Sequence, residues 1–219
     1  MPEYAFRDPA FRPPEQLRTE GFVIRPLVVS DSALDHEAVM ETREFLRAWS
    51  QEPWPQDDFT VDDNRKDMET AERWFADRYA YLYTIMDPPQ TTCLGCIYLF
   101  PPDARWLGSP EKIPMTETPW SDVEAVVTFW VRASRLDDGL DRRVLDAITG
   151  WFETAWPFDF VVLHTNEDLE QQVAMVEAAG LQLAFRLTEP DQPATSLAYA
   201  WPPSPAAAHA SGPDGDQPV

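Results

Sequence analysis

A chain of 219 residues, 44% of them hydrophobic and nine of them tryptophan, is long enough to bury one sizeable core. Its net charge of −21, from 38 acidic against 17 basic side chains, excludes nucleic acid as a main partner, because binding to phosphates is driven by clustered Lys and Arg. No apolar run is long enough to cross a membrane, and the opening "MPEYAFRDPAFRPPEQ" has no basic region followed by an apolar stretch, so no membrane contact, no secretory signal and a cytoplasmic location are expected.

Residues 1–16 hold four prolines and no periodicity, which predicts an extended arm. A single domain is expected over 17–201, and the Pro, Ala, Gly and Asp of 202–219 have nothing to bury, so a disordered tail is expected there. Within the domain "GFVIRPLVV" reads as a first strand, and "SDSALDHEAVMETREFLRAW" as a helix with Ser30 or Asp31 as cap. A second helix, "NRKDMETAERWFADRYA", leads to the strands "YLYTIMD" and "CLGCIYLF". The Pro-rich stretch 101–121 is irregular, either a functional flap or a surface insertion. Then follow the strand "EAVVTFWVRA" and a helix, "DRRVLDAITGWFETAW", with Val144, Leu145, Ile148, Trp151 and Phe152 on one face. The strand "FDFVVLHT", a helix "EDLEQQVAMVEAAG" ending at Gly180, and the strands "LQLAFRLT" and "TSLAYAW" complete the chain. This is an α/β (α+β) order, β-α-α-β-β-β-α-β-α-β-β, which predicts a mixed sheet with helices on its faces.

The two cysteines form a lone CxxC, Cys93 and Cys96. Such a pair is half of a zinc site, a redox pair, or two small core residues. With no second CxxC and no paired histidines, core packing and no metal are expected.

The element order, together with "LRTEGFVIRPL", "FWVRASRLDDGLDRRVLDAITGWF" and "VVLHTNEDLEQQVAMVEAAGL", resembles the GNAT superfamily of acyl-CoA-dependent N-acetyltransferases. The likeness is nearest to the Rim-type branch that acetylates ribosomal-protein N-termini. The resemblance implies a GNAT fold: a mixed, mostly antiparallel sheet of six to seven strands, splayed between the fourth and fifth and flanked by about four helices. It implies acetyl-CoA as cofactor and a small-molecule or peptide N-terminal amine as partner; the aromatic-rich surface would also support a homodimer.

In such a fold the pyrophosphate rests on the loop that opens the helix after the fourth strand, where unpaired N–H groups and the helix dipole favour an anion. The family's loop pattern falls here on Leu136, Asp137, Asp138, Gly139, Leu140 and Asp141, and of its marked positions only Gly139 matches. The cofactor residues implied are Trp130, Val131, Arg132, Gly139, Leu140, Arg142, Arg143 and Asn166. Asp137, Asp138 and Asp141 oppose a phosphate, and Asp is equally at home capping a helix start with no ligand present. The family's strand base falls on Val126 and its Gly on Thr128, which leaves Glu124, two residues before Val126, as a base or as a solvated strand end. His164 is either a proton relay or a structural strand residue. The position of the family's Tyr acid is held by Val176. Two functions of different class follow: direct acetyl transfer to an amine, or a GNAT-fold binding module that no longer uses acetyl-CoA.

Overall fold

The computed structural model of the chain describes residues 10–190 and 192–202. Most of the arm and nearly all of the tail expected at the two ends lie outside them. Of the arm, Phe11 packs its ring against Tyr81, Trp156 and Phe158, and the Pro14 carbonyl accepts the Tyr83 hydroxyl at 2.9 Å.

Among the described residues nine strands form one sheet, and six helices accompany it. The strands are β1 (Leu17–Arg18), β2 (Val23–Pro26), β3 (Tyr81–Met86), β4 (Cys93–Phe100), β5 (Glu111–Pro114), β6 (Ala125–Val131), β7 (Val161–Asn166), β8 (Gln182–Thr188) and β9 (Ser196–Trp201). Their order across the sheet is β1-β2-β3-β4-β6-β7-β9-β8-β5. Every neighbouring pair is antiparallel except β6 and β7. Helices α1 (Ser32–Glu41), α2 (Arg43–Ser50) and α3 (Val61–Ala76) pack on one face around Leu46, Met68 and Trp130. Helices α5 (Leu140–Ala155) and α6 (Glu170–Ala178) cover the other, where Val144, Leu145, Ile148, Trp151 and Phe152 meet Ile24, Tyr83, Val127 and Leu163. Buried on both faces, β3 and β6 read as continuous apolar runs, as strands covered on both sides do.

The parallel pair positions the site. Ala125, Val126 and Val127 pair with Val161, Val162 and Leu163, and there the ladder stops. Beyond it β6 continues with β4 through Gly95↔Val131, while β7 continues with β9 through Asn166↔Ser196. Each strand stays with its outer partner, so the sheet parts into two halves that diverge from Thr128 and His164 onward.

The structure differs from the sequence reading in several elements. Nine strands replace the six to seven expected, and six helices replace the four. The segment 101–121 contributes a short helix, α4 (Arg105–Gly108), and β5, which adds an edge to β8 where Pro114 loses no ladder bond to an outer neighbour. The helix expected over 30–49 breaks at Thr42, whose backbone (φ −99°, ψ 7°) leaves helical geometry and whose hydroxyl accepts the Ala133 N–H at 3.1 Å. Helix α3 starts at Val61 because Thr60 and Asp63 form a reciprocal capping box upstream of the expected start. Gly180, at φ +83°, follows α6 in the left-handed conformation that glycine adopts without steric cost.

Candidate active site

The divergence of β6 from β7 leaves a V-shaped mouth with a cavity on each side of the sheet. On the α5/α6 side a cavity of about 310 Å³ is lined by Phe129, Val131, Leu136, Asp141, Asp168 and Gln171, among others. On the α2 side a cavity of about 290 Å³ is lined by Trp49, Trp106, Thr128, His164, Glu52 and Glu189, among others. The Arg132 N–H bonds the Leu94 carbonyl on β4 at 2.7 Å. Strand backbone alternates, so the peptide groups of Phe129 and Val131 turn toward the mouth and those of Trp130 toward β4. The Trp130 ring is buried on the α1–α3 side, its indole N–H on the Tyr98 hydroxyl at 3.0 Å.

Three side chains stitch the mouth. The Gln172 amide donates to the Phe129 carbonyl at 3.0 Å and its Oε1 accepts the Thr165 hydroxyl at 2.7 Å. The Trp49 indole N–H donates to the Thr128 hydroxyl at 3.0 Å. Asn166 donates to the Ala48 carbonyl at 2.9 Å and accepts the Asp168 N–H at 3.1 Å, an Asx turn leading into α6. Asn166 is therefore a tie between β7 and the end of α2, with both ends of its amide engaged.

The loop between β6 and α5 is internally satisfied over most of its length. Thr42 takes the Ala133 N–H, Glu41 takes the Ser134 N–H at 3.0 Å, and the Arg142 N–H is held at 2.8 Å by the carboxylate of Asp141. Gly139, at φ +65°, caps α5 without a side chain, and the N–H groups of Leu140 and Asp141 make no hydrogen bond among the described residues. The other oxygen of Asp141 accepts Gln171 at 3.3 Å, so this nearly buried carboxylate sits between the starts of α5 and α6. Asp138 pairs with Arg135 at 2.8 Å, and Asp137 is exposed.

The expected arginines are all engaged. Arg132, with a side chain only 9% exposed, is gripped by Glu37 and Glu41, each at 2.6 Å. Against desolvation, which raises it, hydrogen bonds from Ser134 and then from Arg132, with the Arg132 charge, hold the Glu41 carboxyl below its ordinary value. Arg142 pairs with Asp146 at 2.8 Å, and Arg143 donates to the Asp138 carbonyl at 2.5 Å. The last two are surface contacts, worth ~0–1 kcal/mol and easily exchanged for a phosphate; the Arg132 triad is not.

Glu124 and His164, the two expected proton-transfer groups, are not brought together. Glu124 lies at the closed end of the β6/β7 pair, where its Oε2 accepts the N–H groups of Asp159 at 2.5 Å and Phe160 at 3.3 Å. It clamps the start of the parallel ladder and faces neither cavity. His164 lies at the mouth, lines the α2-side cavity, and meets the Trp106 ring edge-on at 5.2 Å. Its Nδ1 is buried with no hydrogen-bond partner among the described residues, and burial pulls its pKa down to about 4. It is thus a neutral imidazole at neutral pH.

Sequence reasoning missed Gln172 and Trp49 as members of the site and gave Thr128 only as the position of the family's Gly. Helical spacing does not separate a Gln that reaches into a mouth from one on a solvated face. Trp106 also lines the α2-side cavity, whereas Trp54 packs with Phe59 and Trp120 with Phe185.

No protein-family model matches the chain, and no curated protein matches it by sequence. Solved structures do match. The ribosomal L7/L12 alpha-N-protein acetyltransferase RimL, in complex with coenzyme A, is similar over 85% of this chain and 97% of its own, at 16% identity and a TM-score of 0.63. The ribosomal-protein-S5-alanine acetyltransferase of Vibrio fischeri is similar over 84% of this chain and 94% of its own, at 14% identity and a TM-score of 0.62. The microcin C7 self-immunity acetyltransferase MccE, in complex with acetyl-CoA and AMP, covers 83% of this chain and 92% of its own, at 11% identity and a TM-score of 0.62. At such identities a likeness establishes architecture, and the splayed sheet with its flanking helices has the fold of the GNAT acetyltransferases.

Proposed function

We propose that the protein is an acetyl-CoA-dependent N-acetyltransferase that passes the acetyl group directly to an amine. The observation that carries this is the mouth itself: strand backbone on the β6 edge that has no strand partner opens toward an α5/α6-side cavity, and a neutral histidine faces a second cavity bearing two carboxylates. The residues fit the acetyl end of the cofactor better than its phosphates. Phe129 and Val131 would hold the pantetheine arm as an added strand, and the N–H groups of Leu140 and Asp141 are the remaining donors for pyrophosphate, beside the Asp141 carboxylate.

Bound acetyl-CoA supplies an activated thioester carbonyl. The N–H groups of Phe129 and Val131 point where negative charge on that carbonyl oxygen would be stabilised. Glu52 and Glu189 favour entry of a cationic amine into the α2-side cavity. The amine attacks after shedding one proton to solvent; the neutral His164 takes a second from the nitrogen as the C–N bond forms, and the C–S bond breaks to release the coenzyme A thiolate, which takes up that proton. Trp49, bonded to Thr128, orients the wall between the two cavities.

Calorimetric titration with acetyl-CoA, followed by acetylation assays on peptide N-termini and small amines, tests this reading. Binding with turnover of at least one amine is expected; no binding at millimolar cofactor would sink it. The second reading, a GNAT-fold binding module without acyl transfer, is favoured by the Asp141 carboxylate on the Arg142 N–H and by Gln172 on the Phe129 carbonyl. Binding of another ligand with no acetylation over a broad amine panel would select it.

A further inference from the structure

We propose that Asp35, Cys93 and Cys96 bind a zinc ion that pins α1 to β4. In a regular strand, residues three apart point to opposite faces. Here the ladder of β4 with β3 slips, pairing Ile85 with Gly95 but Met86 with Cys93, so Leu94 is an extra residue in a bulge. Gly95 adopts φ +145°, and a Cβ there would lie 2.1 Å from the Trp130 carbonyl oxygen, so only glycine permits this path. The consequence is that both thiols face the same carboxylate oxygen. Asp35 Oδ1 is 3.3 Å from Cys96 Sγ and 3.7 Å from Cys93 Sγ, and one ligand atom from each of the three residues lies within 4.8 Å of the others.

The two oxygen–sulfur separations lie close to the edges of a tetrahedral site. With Zn–S of about 2.3 Å and Zn–O of about 2.0–2.2 Å, ligand atoms stand about 3.5–3.8 Å apart. The surroundings are those of a ligand set held in place. Asn64 donates to Asp35 Oδ2 at 2.9 Å and is itself anchored on the Ser32 carbonyl at 3.1 Å, leaving Oδ1 for a metal. The Arg132 guanidinium donates to the Cys93 carbonyl at 3.4 Å and helps fix the backbone at that ligand. Asp35 also lines a separate cavity of about 310 Å³ beneath Trp54 and Trp74, which supplies an entry path and space for water as fourth ligand. All three ligands are buried; with no metal present burial raises the acid of Asp35, and the hydrogen bond with Cys93, together with burial, raises the thiol of Cys96. Zinc would take the place of the thiol protons.

The test uses the full chain, purified from zinc-supplemented medium without chelator, and measures metal by plasma mass spectrometry. One equivalent of zinc is expected, falling to background in Cys96→Ser and in Asp35→Asn. Cobalt(II) exchanged into the unmodified chain should give an intense thiolate charge-transfer band and tetrahedral visible bands, which decides the matter even if the variants fail to fold. Absence of zinc both after purification and after incubation with excess zinc or cobalt would overturn the proposal. So would full zinc content in a folded Cys96→Ser chain, or a cobalt spectrum without thiolate bands.

Discussion

The side-chain amide of Gln172 lies 3.0 Å from the carbonyl oxygen of Phe129 and bridges the mouth between the two halves of the sheet. In the proposed function the pantetheine arm runs along Phe129 and Val131, so the glutamine holds a bond that the cofactor would take. Gln172→Ala should bind acetyl-CoA about three- to tenfold more tightly, the worth of about one net hydrogen bond no longer displaced. It should also cost about 1–2 kcal/mol of stability, because the Thr165 hydroxyl loses its buried partner. Titration calorimetry and urea melts read the two effects; unchanged affinity would place Gln172 off the cofactor's path.

Asp141 places a carboxylate on the first turn of α5, where it competes with an anion for the same donors. Asp141→Asn should raise acetyl-CoA affinity about threefold to tenfold while leaving the affinity for dephospho-pantetheine fragments unchanged, since these carry no pyrophosphate. A variant that weakens both would show that the carboxylate organises the loop more than it repels the ligand.

Glu124 accepts two backbone N–H groups at the closed end of the parallel ladder. Glu124→Gln keeps the shape and weakens both acceptor contacts, so it should lower stability by about 1 kcal/mol or more and leave kcat and the pH profile of transfer unchanged. Loss of a basic limb from the profile would return Glu124 to the chemistry.

His164 is held near a pKa of about 4 by burial, against an unfolded value near 6.5. The unfolded chain then binds more protons between these values, so stability falls as pH drops from about 6.5 toward 4 and levels off below. The effect on this one group is about 3 kcal/mol at most. Asp35, raised by burial, acts in the opposite sense, losing stability as pH rises above its unfolded value. Comparison of the chain with His164→Gln cancels that contribution. Between pH 6.5 and 4, the variant's stability should decline less than that of the unmodified chain. Parallel curves would mean that the imidazole is solvated. Over the neutral range the transfer rate should show no titration from His164, and its removal should lower kcat about 100-fold or more if it takes the amine proton.

The elements around the mouth were the legible part of the sequence. The apolar runs of β6 and β7, the amphipathic face of α5 and the glycine after α6 all depend on neighbours a few residues away, and periodicity records such neighbours directly. Thr42 was harder, because its hydroxyl bonds the Ala133 N–H, and a distant partner overrides a helical pattern that otherwise runs unbroken. The strands β1 and β5 escaped for a related reason: each is a short edge, two and four residues long, supported by its neighbour and not by its own composition.

Along the candidate site the same division holds residue by residue. The resemblance placed Gly139 in the loop that opens a helix and set Asp137, Asp138 and Asp141 against a phosphate there, and Gly139 does cap α5. It did not reveal that Asn166 and Arg132 are already occupied, that Glu124 clamps a strand end, or that Gln172 and Trp49 meet β6 across the mouth. The cysteine pair shows the reason most plainly. Regular strand alternation separates Cys93 from Cys96, and only a bulge in register with β3, at a glycine pressed against the Trp130 carbonyl, turns both toward Asp35 on another element. Helix and strand preferences are written in short stretches of chain, whereas hydrogen-bond partners, burial and ligand geometry arise where distant stretches meet, and those meetings belong to the folded chain alone.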